Sequence, residues 1–247
     1  MKMTSTFSRR SGFAAIAVGV IAAVLVARAA AQSPPTPDQM VAALKQNLSD
    51  SQKRLRQYEW IETTIISLKG EEKSRKQQRV YYGADGKLVK VPIGQPQPPA
   101  AQDGGGRDGR LKKRVVENKK DEMAEYMEKA GALIHQYVPP EAAQIQKAKD
   151  AGNMTVSPQA DGKVRVEFQN YVQPKDQLAI DIDAKAALLS ALRVATYLEK
   201  PEDAVTLNVG FASLPDGTSY TSQTTLDAKA KNITVVVQNS GYRPLAK

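Results

Sequence analysis

His135 is the one histidine of the chain and cysteine is absent. Thiol nucleophiles, thiolate metal sites and disulfides are therefore excluded, and any histidine-based relay must be built on His135. That residue follows Ile134 on a charged helical stretch, where a solvated or capping role is expected. Zinc held by one histidine plus carboxylates would be an unusual donor set. The carboxylates with the most suggestive spacing are Asp181 and Asp183, at the end of the apolar run Leu178-Ala179-Ile180-Asp181-Ile182-Asp183. An aspartyl nucleophile backed by a second acid has this pattern, but that chemistry needs a parallel α/β sheet with further acids and a lysine on later strands. The residues after Asp183 read as a strand meander, so two exposed acids closing a turn with Lys185 are expected instead. Gly104, Gly105, Gly106 and Gly109 lack the strand-loop-helix setting and lysine of a phosphate cradle. The basic cluster Lys112 to Lys120 could touch phospholipid head groups or an acidic partner, although a solvated helix end suffices to explain it. No catalytic residue, metal site or cofactor is expected, and a hydrolase using Asp181 and Asp183 is the least favoured reading.

The remaining candidates are apolar. Trp60, Met123, Met127, Phe168 and Phe211 are the residues expected to line or cover a ligand cavity, methionine being adaptable to variable apolar cargo. For any one of them alone, ordinary core is the better reading. The elements that would position them start with Thr36, Pro37, Asp38 and Gln39, an N-cap, a first-turn proline and a capping-box partner. Met40, Leu44, Leu48 and Leu55 then recur on one face of a helix ending near Tyr58. Trp60 to Leu68, Ser74 to Tyr82, and a third run from Leu88 through Val91 read as strands joined by tight turns. Val115, Met123, Tyr126, Met127, Ala130, Leu133, Ile134 and Tyr137 form a helical stripe, and a short helix from Glu141 to about Ala151 comes after Pro139 and Pro140. From Met154 onward period-two alternation dominates: Val164, Val166, Phe168, then Leu178, Ile180, Ile182, then Val205, Leu207, Val209, Phe211, then Thr218 to Leu226, then Ile233, Val235, Val237. Residues 184 to 198 stay open between helix, on composition, and strand, on position, with strand favoured.

Composition sets the wider frame. Lys2, Arg9 and Arg10 precede the apolar run Phe13 to Ala27 and the small residues Ala29, Ala30 and Ala31, the order of a secretory signal peptide. Residues 1–31 are thus expected to be cleaved, leaving one domain, 32–247, in the periplasm with at most peripheral membrane contact. The signal holds Lys2, Arg9, Arg10 and Arg28 and no acids, so its loss lowers the formal charge of +9 by four, to +5. Much of the basic excess is therefore targeting, and a nucleic-acid partner is not expected. Between 92 and 110 the prolines and glycines crowd together, and a flexible loop is expected there.

The order of elements, with the turn Leu214-Pro215-Asp216-Gly217-Thr218-Ser219-Tyr220, resembles the periplasmic lipoprotein-carrier superfamily. Its members include the lipoprotein chaperone, its outer-membrane receptor and the sensor domain that binds envelope-stress regulators. The resemblance implies an α+β fold: a curved antiparallel sheet forming an incomplete β-barrel, an N-terminal amphipathic helix, and a central helical insertion covering the concave face. It also implies a non-enzymatic carrier for an apolar ligand, such as a lipid or a lipoprotein acyl chain. The alternative within the same fold is an envelope protein-interaction or sensor module without a small-molecule ligand. The chain departs from the pattern in its 92–110 loop and in the charged helix beginning Lys112-Lys113-Arg114.

Overall fold

Alternating apolar residues on consecutive strands can be buried together only if the strands pair in register, and the computed structural model shows how they do so. It describes residues 37–94 and 107–245, with the backbone alone for 37, 38, 40, 41, 107–120 and 160; the signal segment and residues 95–106 lie outside the described residues. Helix α1 spans Pro37–Leu55. It ends three residues before the expected Tyr58, because Gln57 turns back onto the Arg54 carbonyl and Tyr58 already opens strand β1 (Tyr58–Leu68). Lys69 and Gly70 both adopt positive φ, 54° and 80°, which suits the two-residue turn into β2 (Glu71–Tyr82). Strand β3 covers Leu88–Ile93.

Helix α2 begins at Arg107 and runs to Ile134, and α3 spans Ala142–Asp150. The expected 92–110 loop does not hold at its ends, since Pro92 and Ile93 pair with β2 and Arg107 to Arg110 are helical; the rest of it lies outside the described residues. Strands β4 (Met154–Pro158), β5 (Lys163–Gln169), β6 (Gln177–Asp183), β7 (Leu188–Tyr197), β8 (Ala204–Ser213), β9 (Ser219–Ala228) and β10 (Ile233–Pro244) complete the chain. In the open segment, residues 188–197 are strand. Pairing with β6 on one side and β8 on the other outweighs the helical propensity of Ala and Leu.

All ten strands form one antiparallel sheet in the order β3-β2-β1-β10-β9-β8-β7-β6-β5-β4. Strands β3 and β4 are its two free edges, so the sheet is an incomplete barrel. Bulges between Glu59 and Ile61, Ile66 and Ser67, Asp181 and Ile182, and Gly210 and Phe211 add local twist and bend. At the first of these, Gly241 and Tyr242 of β10 together oppose Trp60, and Gly241 takes the φ of +63° that the irregularity requires.

Two in-register rows carry the inner face. One is Met154, Phe168, Leu178, Val194, Leu207, Leu226, Val235 and Ile66; the other is Val156, Val166, Ile180, Leu192, Val209, Thr224, Val237 and Thr64. The β5 to β8 part of both rows packs against Leu133, Ile134, Tyr137 and Val138 at the end of α2, and against Ile145 and Ala148 of α3. Across β5 to β8, polar residues such as Arg165, Asp181, Arg193, Asn208 and Thr206 alternate onto the outer face.

One polar node sits inside this core. The carboxylate of Asp176, fully buried, accepts hydrogen bonds from the backbone N–H groups of Tyr171, Val172 and Gln173 and from the Tyr137 hydroxyl. The Tyr137 hydroxyl also meets Thr196 at 2.8 Å. Burial, reinforced by the bond to Asp176, pushes the Tyr137 phenol well above its ordinary range, so it remains a neutral donor. This cluster fastens the exit of α2 to the β5–β6 connection and to β7. Asp176→Ala removes the shared acceptor of four hydrogen bonds, two of them buried, and should lower unfolding free energy by about 3 kcal/mol or more, against about 1 kcal/mol for Tyr137→Phe. Urea unfolding of both variants measures this, and a loss below about 1 kcal/mol for Asp176→Ala would contradict the account.

Candidate functional site

The inner face is continuous across the sheet, but its cover is not. Leu178, Leu192, Val194, Leu207 and Val209 are buried beneath α2 and α3. Outward from them, Val166, Ile180, Leu226, Val235 and Val237 are half-buried, and Ile66 on β1 is 40% exposed. The same rows thus pass from closed core to accessible apolar surface. Helix α1 crosses one end of the sheet, where Leu44, Leu48 and Leu55 are half-buried and polar side chains tie it to turns. Asn47 donates to the carbonyls of Ala186 and Ala187, Arg54 Nε donates to the Thr218 hydroxyl at 3.0 Å, and the Ser219 N–H donates to Ser51. Helix α2 is held at the other end, where the Tyr126 hydroxyl donates to Asp203 and Lys231 pairs with Glu122.

The five expected ligand residues fall in three places. Phe168 is buried, with its ring 5.7 Å from that of Tyr171, and Phe211 is half-buried against the same cluster. Met123 and Met127 are half-buried on α2. Trp60 lies outside that cluster. Its ring stacks on Tyr242 at 5.3 Å and tilts against Tyr82 at 6.0 Å, its Nε1 donates to Asn239, and Tyr242 continues to Tyr220 at 4.3 Å. Burial pushes the Tyr242 phenol up, which keeps this aromatic group neutral. Sequence reading misses Tyr82, Tyr220, Tyr242 and Ile66. Alternation gives the facing of Ile66 within its strand, but only the β1–β10 register shows that it extends the β9–β10 face.

On the outer face Asp181 differs from expectation, whereas Asp183 closes the turn with Lys185 as expected. Asp181 is 5% exposed, because cross-strand Arg165 and nearby Arg193 close over it: Arg165 donates to both carboxylate oxygens and Arg193 to Oδ2. The sheet around it is antiparallel, and Asp183 spends Oδ1 on the N–H groups of Lys185 and Ala186. His135 is exposed just past the end of α2. Among the described residues no group of three or more His, Cys, Asp or Glu is placed to hold a metal ion. None of the described helices is long and apolar enough to cross a membrane.

No family model matches the chain and no curated protein matches it. Solved structures with a similar course of the chain include a LolA superfamily protein of Nitrosomonas europaea, 8% identical, with 83% of this chain and 94% of that one covered and a TM-score of 0.35. A DUF1329 family protein of Desulfovibrio piger is 13% identical over 83% of this chain and 92% of its own, with a TM-score of 0.36. The MucA/MucB complex of Pseudomonas aeruginosa is a further one, at 9% identity, 83% and 100% coverage and a TM-score of 0.20. These likenesses concern fold alone.

The guanidinium of Arg165, then that of Arg193, holds the Asp181 carboxyl below its ordinary value of 3.8 against the opposing effect of burial. A lowered folded value means that the stabilisation is complete above the unfolded value and is lost as pH falls through the folded one. Asp181→Asn should therefore cost about 1–3 kcal/mol at pH 7 and flatten the acid limb of the stability profile below about pH 4. Denaturant melts at pH 7 and at stepwise lower pH check both halves; an unchanged acid limb would remove Asp181 as its source.

Proposed function

We propose that the protein is a non-enzymatic binding or carrier protein for an apolar ligand, such as a lipid or an acyl chain, exported by residues 1–31 to act in the periplasm. One observation carries this reading: an in-register apolar face that runs beyond its helical cover, from buried Leu192 and Val209 out to half-buried Val237 and exposed Ile66. A face needed only as core would end where its cover ends, whereas an accessible apolar continuation suits a ligand. In this reading Met123, Met127 and Phe211, all half-buried, are the contacts at the margin of the cover. Phe168 and Trp60 are the packed walls behind it.

The carboxylate chemistry is the weaker alternative, since both oxygens of Asp181 accept from arginine. The protein-interaction alternative draws on a different feature. Edge strand β3 exposes Leu88, Val91 and Ile93, at 43%, 36% and 44%, beside its unpaired backbone.

Ile66→Glu tests the carrier reading at a position whose exposure should spare folding. A fluorescent acyl probe should bind the unaltered protein and bind the variant at least about tenfold more weakly, because a carboxylate would have to be desolvated against the chain. Mass spectrometry of gently purified protein should find lipid on the unaltered chain. Clean masses together with equal probe titrations would favour the protein-interaction reading.

A further inference from the structure

The outer face holds a concave feature that the inner-face reading does not use. Where β2, β1 and β10 run side by side, a groove of about 510 Å³ is lined by Glu59, Arg79, Tyr81, Arg243, Pro244 and Leu245. Register sets its plan: Tyr81, Glu59 and Arg243 are cross-strand neighbours in one row, and Arg79 opposes Ile61 one step along on the same face. Glu59 forms the floor, with its side chain 12% exposed. Arg243 donates through Nε to Glu59 Oε1 while its side chain stays 69% exposed. Arg79 faces the other oxygen at 3.7 Å, an ion pair beyond hydrogen-bonding reach, with its side chain 45% exposed and its guanidinium carbon 5.6 Å from the Tyr81 ring centroid.

This arrangement orients two guanidinium groups without using up their donors. Each carries five N–H groups in a planar fork, and Glu59 takes one hydrogen bond from Arg243. Two cations against one carboxylate leave one positive charge in a groove whose other walls are a tyrosine ring, a proline and a leucine. The complement of such a site is a monoanion that accepts from planar forks and carries an apolar body. A carboxylate meets both conditions through bidentate pairing with arginine.

We propose that the groove between Arg79 and Arg243 binds the free carboxylate of an amphiphilic molecule, the C-terminus of an apolar peptide or the head of a fatty acid. Glu59 is the positioning residue, holding both arginines at the floor so that the incoming carboxylate completes an alternating row of charges. The site is on the opposite face of the sheet from Ile66 and Val237, so it stands or falls separately from the inner-face ligand.

The test uses the full chain and two probes, N-acetyl-Leu-Leu and octanoate, each with its neutral amide as control. Amide resonances of Tyr81 and Leu245 should shift saturably with at least one carboxylate and not with either amide. The tighter of the two carboxylates identifies the source. Arg79→Lys and Arg243→Lys keep the charge but lose the planar fork, and each should weaken binding about tenfold or more, as expected for a lost charge-assisted bond. Thermal melts of the two variants should match the unaltered protein. The Ile66→Glu variant should bind these probes at the groove unchanged. Absence of saturable shifts, equal shifts with the amides, or unaltered affinity in both lysine variants would overturn the assignment.

Discussion

Strand β1 reaches its place by pairing with β10, the last strand of the chain, from Tyr58 opposite Pro244 to Leu68 opposite Ile233. Strands β4 to β10 form an uninterrupted meander, and β1 to β3 form another. The first-to-last pairing alone makes them one sheet. It aligns Ile66 with Val235 and Thr64 with Val237, so that one apolar row reaches Ile66 on β1 before Ser74 and Lys76 of β2 make the face polar. Its bulge puts two β10 residues opposite Trp60, which brings Tyr242 onto the indole and leaves Arg243 beside Glu59 on the other face. Both candidate sites thus depend on a contact between residues nearly the whole described chain apart, the kind whose loop-closure cost slows folding.

The open edges result from the same order. A sheet that begins at β3 and ends at β4 must protect two rows of backbone groups from other chains. Strand β4 is short and ends in Pro158, and the part of β2 that β3 does not cover, Glu71 to Lys76, is dense in charge. Strand β3 has Lys90 and Pro92 but still exposes Leu88, Val91 and Ile93, so it is the less guarded edge. Across the outer face, buried acids hold half-exposed arginines twice, Glu59 with Arg79 and Arg243, and Asp181 with Arg165 and Arg193. Each buried acid is thereby paired, which a carboxylate taken out of water requires.

Much of this is legible in the residues. Period-two alternation in Val164 to Phe168, Leu178 to Ile182 and Val205 to Phe211 identifies the strands and their inward faces, because a pleated strand has one side-chain period and no freedom to alter it. Boundaries are less legible: β3 and α2 extend into the proline- and glycine-rich region, where local composition says little about tertiary pairing. Asp181 reads as exposed because neither arginine near it is close in sequence; only the β5–β6–β7 register reveals the pair. The aromatic group around Trp60 is invisible for the same reason, since Tyr82, Tyr220 and Tyr242 come from three different strands. Single residues whose roles depend on long-range register are what a one-dimensional reading cannot deliver.

The way the helices are attached bears on whether the inner face can be reached at all. Among its described side chains, helix α2 buries Ala130 and packs Leu133 and Ile134 on the core, with Tyr137 just past its end, and Tyr126 and Glu122 tie it by side-chain bonds to the β7–β8 and β9–β10 turns. Helix α1 is held to the β6–β7 and β8–β9 turns by Asn47, Ser51 and Arg54. Bonds of this kind contribute about 1 kcal/mol each, far less than the buried strand rows contribute together. Displacing either helix would leave every strand ladder intact but would cost its apolar burial, Leu44, Leu48 and Leu55 on α1 and Ala130, Leu133 and Ile134 on α2, in addition to these bonds. What lies outside that cover needs no helix movement to be reached: Ile66 on β1 is 40% exposed with both helices in place.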